Sequence, residues 1–229
     1  MAKNNAEENM AEENKTEEKA AEQRGSAPDG YEPLTVTYER LRACENSAEL
    51  DEFAMRELPD RSDAAAFSRA TALLEAVAGN SHTSVEKRIY LAKNMGFPNI
   101  LVKLSQDADP QVRAAVASNE EVKNWLVGRL TKDESAQVRS AALRNKQTSW
   151  KMRLEGAQNE ETDAETLDFL ASFGAGDDEK DCVQAIMVRR AVALNKNVSA
   201  RTLEKLSADK ASDVVKAVES RKKIMSKTF

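Results

Sequence analysis

Val112-Arg113-Ala114-Ala115-Val116-Ala117-Ser118-Asn119 returns as Val138-Arg139-Ser140-Ala141-Ala142-Leu143-Arg144-Asn145 and as Val188-Arg189-Arg190-Ala191-Val192-Ala193-Leu194-Asn195. A worn copy follows, Val214-Val215-Lys216-Ala217-Val218-Glu219-Ser220-Arg221. In each copy the first, fourth and fifth residues are apolar, and spacing of i, i+3 and i+4 places them on one stripe of a helix. The alanine in the stripe lets a neighbouring helix come close. Ahead of three copies lies an apolar pair followed by an acid: Leu101/Leu104/Asp107, Leu126/Leu130/Asp133 and Leu203/Leu206/Asp209. Each unit is therefore read as two short helices and a turn. No such unit can bury its stripe alone, so the units must stack.

A larger duplication lies above this one. Asn80 to Asn94 and Asn145 to Asn159 share N-x-x-T-S-x(3)-R-x(3)-A-x-N. From these starts the asparagines advance by 14, 25 and 26 residues in one copy and by 14, 36 and 26 in the other, ending at Arg221. The 11 extra residues fall in Ala171-Ser172-Phe173-Gly174-Ala175-Gly176-Asp177-Asp178-Glu179-Lys180-Asp181, a glycine-containing acidic stretch read as a loop and, as a 171–186 insertion, as a contact element. Asp109-Pro110 marks a helix start, with Asp109 accepting the first free amide hydrogens and Pro110 in the first turn. Thr83 with Glu86, and Thr162 with Glu165, are spaced as capping boxes. The asparagines are expected to end helices in the left-handed conformation that they tolerate.

The run D-x-D-P-x-V-R-x-A-V-A-x-N at Asp107–Asn119, together with Asn195–Asp209, resembles the leucine-rich repeat variant family and, more broadly, HEAT-like helical repeats. The likeness spans roughly residues 80–221. It implies a right-handed superhelical stack, alternating α with 3₁₀ helix in the variant family, that serves as a binding scaffold without a catalytic site. The usual proline after the repeat asparagine is absent, two intervals are only 14 residues, and the cysteine cluster of the iron–sulfur relatives is missing. The iron–sulfur association is therefore not carried over.

Outside the repeats the chain changes character. Residues 1–30 hold eight acids and four bases but no Leu, Ile, Val or Phe, so they cannot bury enough surface to offset the entropy of ordering and are expected to form a disordered acidic tail. Residues 31–79 place Leu34, Tyr38 and Leu41, then Leu50, Phe53, Ala54 and Leu58, at helical spacing; Pro59 and Asp60 interrupt, and Ala64–Ala78 resumes with Phe67, Leu74 and Val77. This reads as an amino-terminal helical cap over the first repeat face. Residues 80–229 carry 25 bases against 21 acids and finish on a basic end from Arg221 to Lys227, so the formal net charge of −5 conceals a dipolar chain. The expected architecture is all-α: a right-handed α-solenoid of two-helix repeats, made of arrays 80–145 and 145–221.

Composition narrows the chemistry. Cys44 and Cys182 are too few for a disulfide framework or a four-cysteine metal site, and the single histidine, His82, is read as a turn residue. No apolar run is long enough to span a bilayer, and the first residues are acidic, which points to a cytoplasmic protein with no membrane partner. Glycine-rich phosphate loops, nucleophile elbows and H-E-x-x-H are absent from the sequence, so no catalytic residue, metal or cofactor is assigned.

The candidate binding residues are Arg88, Arg113, Arg139, Arg153 and Arg189, which recur at corresponding positions and could ladder along one face toward phosphates or a partner's carboxylates. The competing reading pairs each arginine with acids in the adjoining turn, Asp107/Asp109 or Asp133/Glu134, as glue between units; it is preferred because acids recur with the arginines. Asp177 and Asp178 in the acidic loop complete the candidate set, as contact residues and not as an EF-hand. Trp125 and Trp150 are assigned to the core. The functional expectation is a non-enzymatic scaffold that binds another protein through a concave face. The alternative is a nucleic-acid binder whose arginine ladder is masked by the tail.

Overall fold

The computed structural model describes residues 32–175 and 182–226, and among these every regular element is an α-helix. The helices are α1 Leu34–Arg42, α2 Ser47–Ala54, α3 Ala64–Ala78, α4 Val85–Asn94, α5 Pro98–Leu104, α6 Pro110–Ser118 and α7 Asn124–Leu130. They continue as α8 Ala136–Arg144, α9 Trp150–Gln158, α10 Ala164–Leu170, α11 Val183–Leu194, α12 Ala200–Ser207 and α13 Ser212–Met225. Where the resemblance implies 3₁₀ segments, the first helices of the units, α5, α7, α10 and α12, are α-helical. The acidic segment before residue 32 and the loop acids Asp177 and Asp178 lie outside the described residues.

Contacts divide the chain into Met1–Thr37 and Tyr38–Phe229. In the first unit the described residues open α1, where the Thr37 hydroxyl donates to Glu32 Oε2 at 2.9 Å. In the second unit the strongest packing runs through the second helices of successive units: α4 on α6, α6 on α8, α9 on α11 and α11 on α13. The first helices pack beside them, α5 on α6, α7 on α8, α10 on α11 and α12 on α13. The α8 helix meets both α9 and α10.

The stripe residues explain this order. Val112, Ala115, Val116, Val138, Ala142, Val188, Val192, Val214, Ala217 and Val218 are all buried. Fully burying a valine stabilises by about 1.5–3 kcal/mol, an upper estimate because unfolded chains already bury some surface. Two apolar clusters result, one from Leu41 to Ala142 and one from Ala157 to Val218. The gap between them falls where the two sequence copies join, around Asn145.

Helix starts follow local chemistry. Asp109 accepts from Gln111 N with Pro110 in the first turn. Ser84, Ser149 and Ser199 accept from Lys87, Met152 and Thr202 N, and Asp163 accepts from Thr166 N. The capping boxes proposed at Thr83 and Thr162 are thus one residue out of register: the cap is the following Ser84 or Asp163. The threonine hydroxyls are occupied elsewhere, donating to Val77 O and, at 2.7 Å, to Gly156 O.

Candidate binding face

The repeated asparagines join one unit to the next. Asn80 Nδ2 donates to the carbonyls of Leu41, Arg42 and Cys44 at 2.9, 3.2 and 2.8 Å. Asn119 does the same to Ala92, Lys93 and Met95 at 2.8, 3.3 and 3.0 Å. Asn145 reaches Ala117 and Asn119, both at 2.8 Å, and Asn195 reaches Ala157 and Asn159 at 2.8 and 2.9 Å. A helix leaves its last carbonyls without intrahelical partners, and here a side chain from the following unit satisfies them. The Oδ1 atoms of these four, and of Asn159, accept from the backbone two residues on, at His82, Glu121, Gln147, Glu161 and Asn197.

Only a short amide can donate backward and accept forward from one place. Aspartate lacks the donors, and glutamine would displace the group by a methylene. The expectation that these asparagines turn left-handed is wrong: Asn119, Asn145, Asn159 and Asn195 have φ between −69° and −64° with extended ψ. Because the carbonyls are met from the next unit, no left-handed cap is required. The third residue after each asparagine is buried, as Thr83, Val122, Thr148, Thr162 or Val198, and plugs the turn.

The arginines form a second set of links. Arg113 makes a bidentate pair with Asp133, Nε to Oδ2 and Nη2 to Oδ1 both at 2.9 Å, and Nη1 donates to Asp107 O and Ala108 O. Arg189 repeats this with Asp209 at 2.7 and 3.1 Å, and with Phe173 O and Gly174 O. Arg88 faces Asp107 at 2.7 Å, and Arg139 faces Glu161 at 3.1 Å while donating to Asp133 O and Glu134 O. Arg153 donates to Leu143 O and Asn145 O and lies over the Phe173 ring.

Arg88, Arg113, Arg153 and Arg189 are buried, and Arg139 nearly so. Burial pushes the Asp133 and Asp209 carboxyls up, but hydrogen bonds from the paired arginine and from a backbone N–H, with the arginine's charge, outweigh it and hold both below the ordinary aspartate range. The Asp133 hydrogen bond raises Arg113 against its own desolvation, whereas burial lowers Arg153. Their guanidinium donors are directed at carboxylates and carbonyls between units. Exposed pairs also cross the units: Lys146 with Glu120, and Lys196 with Glu160 at 2.7 Å. In each, the residue after one repeat asparagine meets the residue after the preceding one.

The remaining surface differs from unit to unit. Trp125, assigned to the core from the sequence, is 54% exposed: the buried stripe of α7 is Leu126, Val127 and Leu130, and the i+3 step from Val122 carries Trp125 past its edge. Trp150 is half-buried, and His82 is an exposed turn residue with its N–H on Asn80 Oδ1. Shallow grooves lie between successive second helices. One of about 170 Å³ includes Lys93, Ser118 and Glu120; the next, about 260 Å³, includes Ser118, Ala141 and Arg144. The largest of this row, about 390 Å³, lies between α9 and α11 and is lined by Leu154, Met187, Arg190, Ala191, Leu194 and Arg221 among others.

At the join of the two copies a polar pocket of about 580 Å³ is ringed by Lys132, Asp133, Glu134, Arg139, Glu155 and Glu161. These charges are largely paired with one another, Lys132 with Glu155 at 3.3 Å and Arg139 with Glu161. Among the described residues no group of three or more His, Cys, Asp or Glu is placed to hold a metal ion, and no helix is long and apolar enough to cross a membrane. Comparison with known protein families, curated proteins and solved structures gave no match. The groove residues Met187 and Leu194 were not singled out from the sequence; a position-by-position alignment of the units carries the signal that finds them.

Proposed function

We propose that Tyr38–Phe229 is an α-solenoid that acts as a non-enzymatic cytoplasmic scaffold, holding another protein against the concave, solvent-facing side of the layer α4, α6, α8, α9, α11 and α13. The observation that carries this reading is the row of grooves between successive helices of that layer, open to solvent and lined by side chains that change along the row. Stacked repeats offer an extended surface because the repeated residues are spent on holding units together while the outward ones vary. The engagement of Arg88, Arg113, Arg139, Arg153 and Arg189 with carboxylates and carbonyls weighs against the phosphate-binding alternative, since counterion release needs unpaired positive charge facing the polyanion.

The test is site-specific photo-crosslinking in cells. A photoreactive residue at Ser118, Ala141 or Leu194 is expected to capture the same partner protein, while one at Trp125 or Glu204 on the first helices captures none of it. Capture of that partner from the first helices alone would overturn the reading.

A further inference from the structure

We infer that the exposed face of α11 seats a short amphipathic helix of the partner protein, apolar along one side and acidic at its edges. This rests on the scaffold reading above and narrows it to one unit and one partner chemistry. The repeats supply their own reference. With Val112, Val138, Val188 and Val214 in register, the position of Met187 is held by Gln111, Gln137 and Asp213 in the other units, and that of Leu194 by Ser118, Arg144 and Ser220. Only α11 is apolar at both. Met187 is 40% and Leu194 42% exposed, so neither is needed to fill the core.

The helix also begins earlier than its counterparts: Val183 opens it five residues before Val188, whereas Pro110, Ala136 and Ser212 open α6, α8 and α13 two residues before the matching valine. The extra turn adds Val183, which is 71% exposed. Val183, Met187 and Leu194 lie at i, i+4 and i+11, exposed on one side of the helix, with half-buried Ala191 between them at i+8 continuing the apolar line. Eleven residues of helix span about 16 Å, the length of roughly three turns of a partner helix. Leu154 and Ala157 of α9 form the far wall, giving a trough of about 390 Å³. An apolar stripe on a surface otherwise polar at equivalent positions marks a contact site, and a groove between two helices suits a helix laid along it.

Charge selects the occupant. The trough carries Arg190, Lys196 and Arg221 against the single acid Glu160, which is paired with Lys196. Arg221 donates Nη2 to Lys196 O at 2.9 Å, and its Nε is buried with no hydrogen-bond partner among the described residues. Two guanidiniums thus flank an apolar floor. Carboxylates at the edges of the incoming helix complement them, and lysines there would be repelled.

The experiment uses the full chain, immobilised and panned against a random library of peptides of about twelve residues. Met187→Gln/Leu194→Ser, which installs residues other units carry at the same register, is the counter-target, with its helicity and melting checked by circular dichroism. Enriched peptides are expected to be net negative with apolar residues at i and i+4. They should lose about tenfold or more in affinity for the double variant, and Arg190→Ala should flatten the dependence of binding on salt. Enrichment of basic peptides, no enrichment at all, or unchanged binding to the double variant would overturn the assignment. So would self-association of the wild type that the double variant abolishes, which would put a second copy on this face. Crosslinks from Ser118 or Ala141 alongside any of these results would leave the scaffold reading standing and remove only the α11 seat.

Discussion

Arg153 stacks its guanidinium over Phe173, 4.7 Å from the ring centroid, at the place where its counterpart Arg88 faces the Asp107 carboxylate. The two copies align Leu104 with Leu170, three residues before Asp107 and Phe173 respectively. One half of the chain thus has a cation–π contact where the other has a buried ion pair, and burial lowers the pKa of Arg153.

Phe173→Asp should accordingly restore an ion pair. It is expected to be more stable than Phe173→Asn at pH 7, with the difference vanishing as the new carboxylate protonates below about pH 4. Urea unfolding of the two variants across pH measures this. Equal stability at pH 7 would show that the Asp107 geometry does not transfer between copies.

Acid should weaken the wild-type chain through Asp133 and Asp209. Both are held below their unfolded value, so in the acid range the unfolded chain binds more protons than the folded one and stability rises with pH. The contribution is fully present above the unfolded value of about 3.9 and is lost as pH falls through the lower folded values. Asp209→Asn should be destabilised by about 3 kcal/mol or more at neutral pH, because it removes the negative charge from a bidentate pair with the buried Arg189 guanidinium. Its stability should then fall less steeply toward pH 2, as read from denaturant midpoints.

Asn145 is expected to tolerate neither truncation nor charge. Asn145→Ala leaves the Ala117 and Asn119 carbonyls without that donor and Gln147 N–H without its acceptor, at a cost of about 1–3 kcal/mol. Asn145→Asp should cost more, since it keeps the acceptor but points a carboxylate at two carbonyl oxygens. Chemical denaturation ranks the three proteins, and an aspartate as stable as wild type would contradict the role assigned to the amide.

Two glycines at the join of the copies should respond oppositely to alanine. A Cβ on Gly156 would lie 2.5 and 2.7 Å from the methyls of buried Leu143, so overpacking of about 1–3 kcal/mol should exceed the gain of about 1 kcal/mol in helix propensity. A Cβ on Gly128 meets only the tip of half-buried Met152, which can swing aside, and Gly128→Ala is expected to be neutral or stabilising. Melting temperatures of the two variants decide this.

The helical stripe was legible because periodicity is local: Val112, Ala115 and Val116 announce their shared face within five residues. The work of the asparagines was not, because their carbonyl partners lie from 24 to 39 residues away and belong to another unit. Spacing alone also misassigned Trp125, since on a seven-residue helix the i+3 and i+4 positions straddle the edge of a narrow buried face. The arginine–acid pairings could be read from recurrence, as Arg113 and Arg189 each sit 20 residues before their aspartates. The exchange of Asp107 for Phe173 is equally plain in the sequence once the copies are aligned, but its meaning depends on the ring lying under Arg153.

The paired turn charges, Glu120 with Lys146 and Glu160 with Lys196, carry a rule for how such a chain can lengthen. Acid and base alternate after the four asparagines from Asn119 to Asn195, so within that run excising or adding one module sets like against like at the new seam, while changes made in twos keep the alternation.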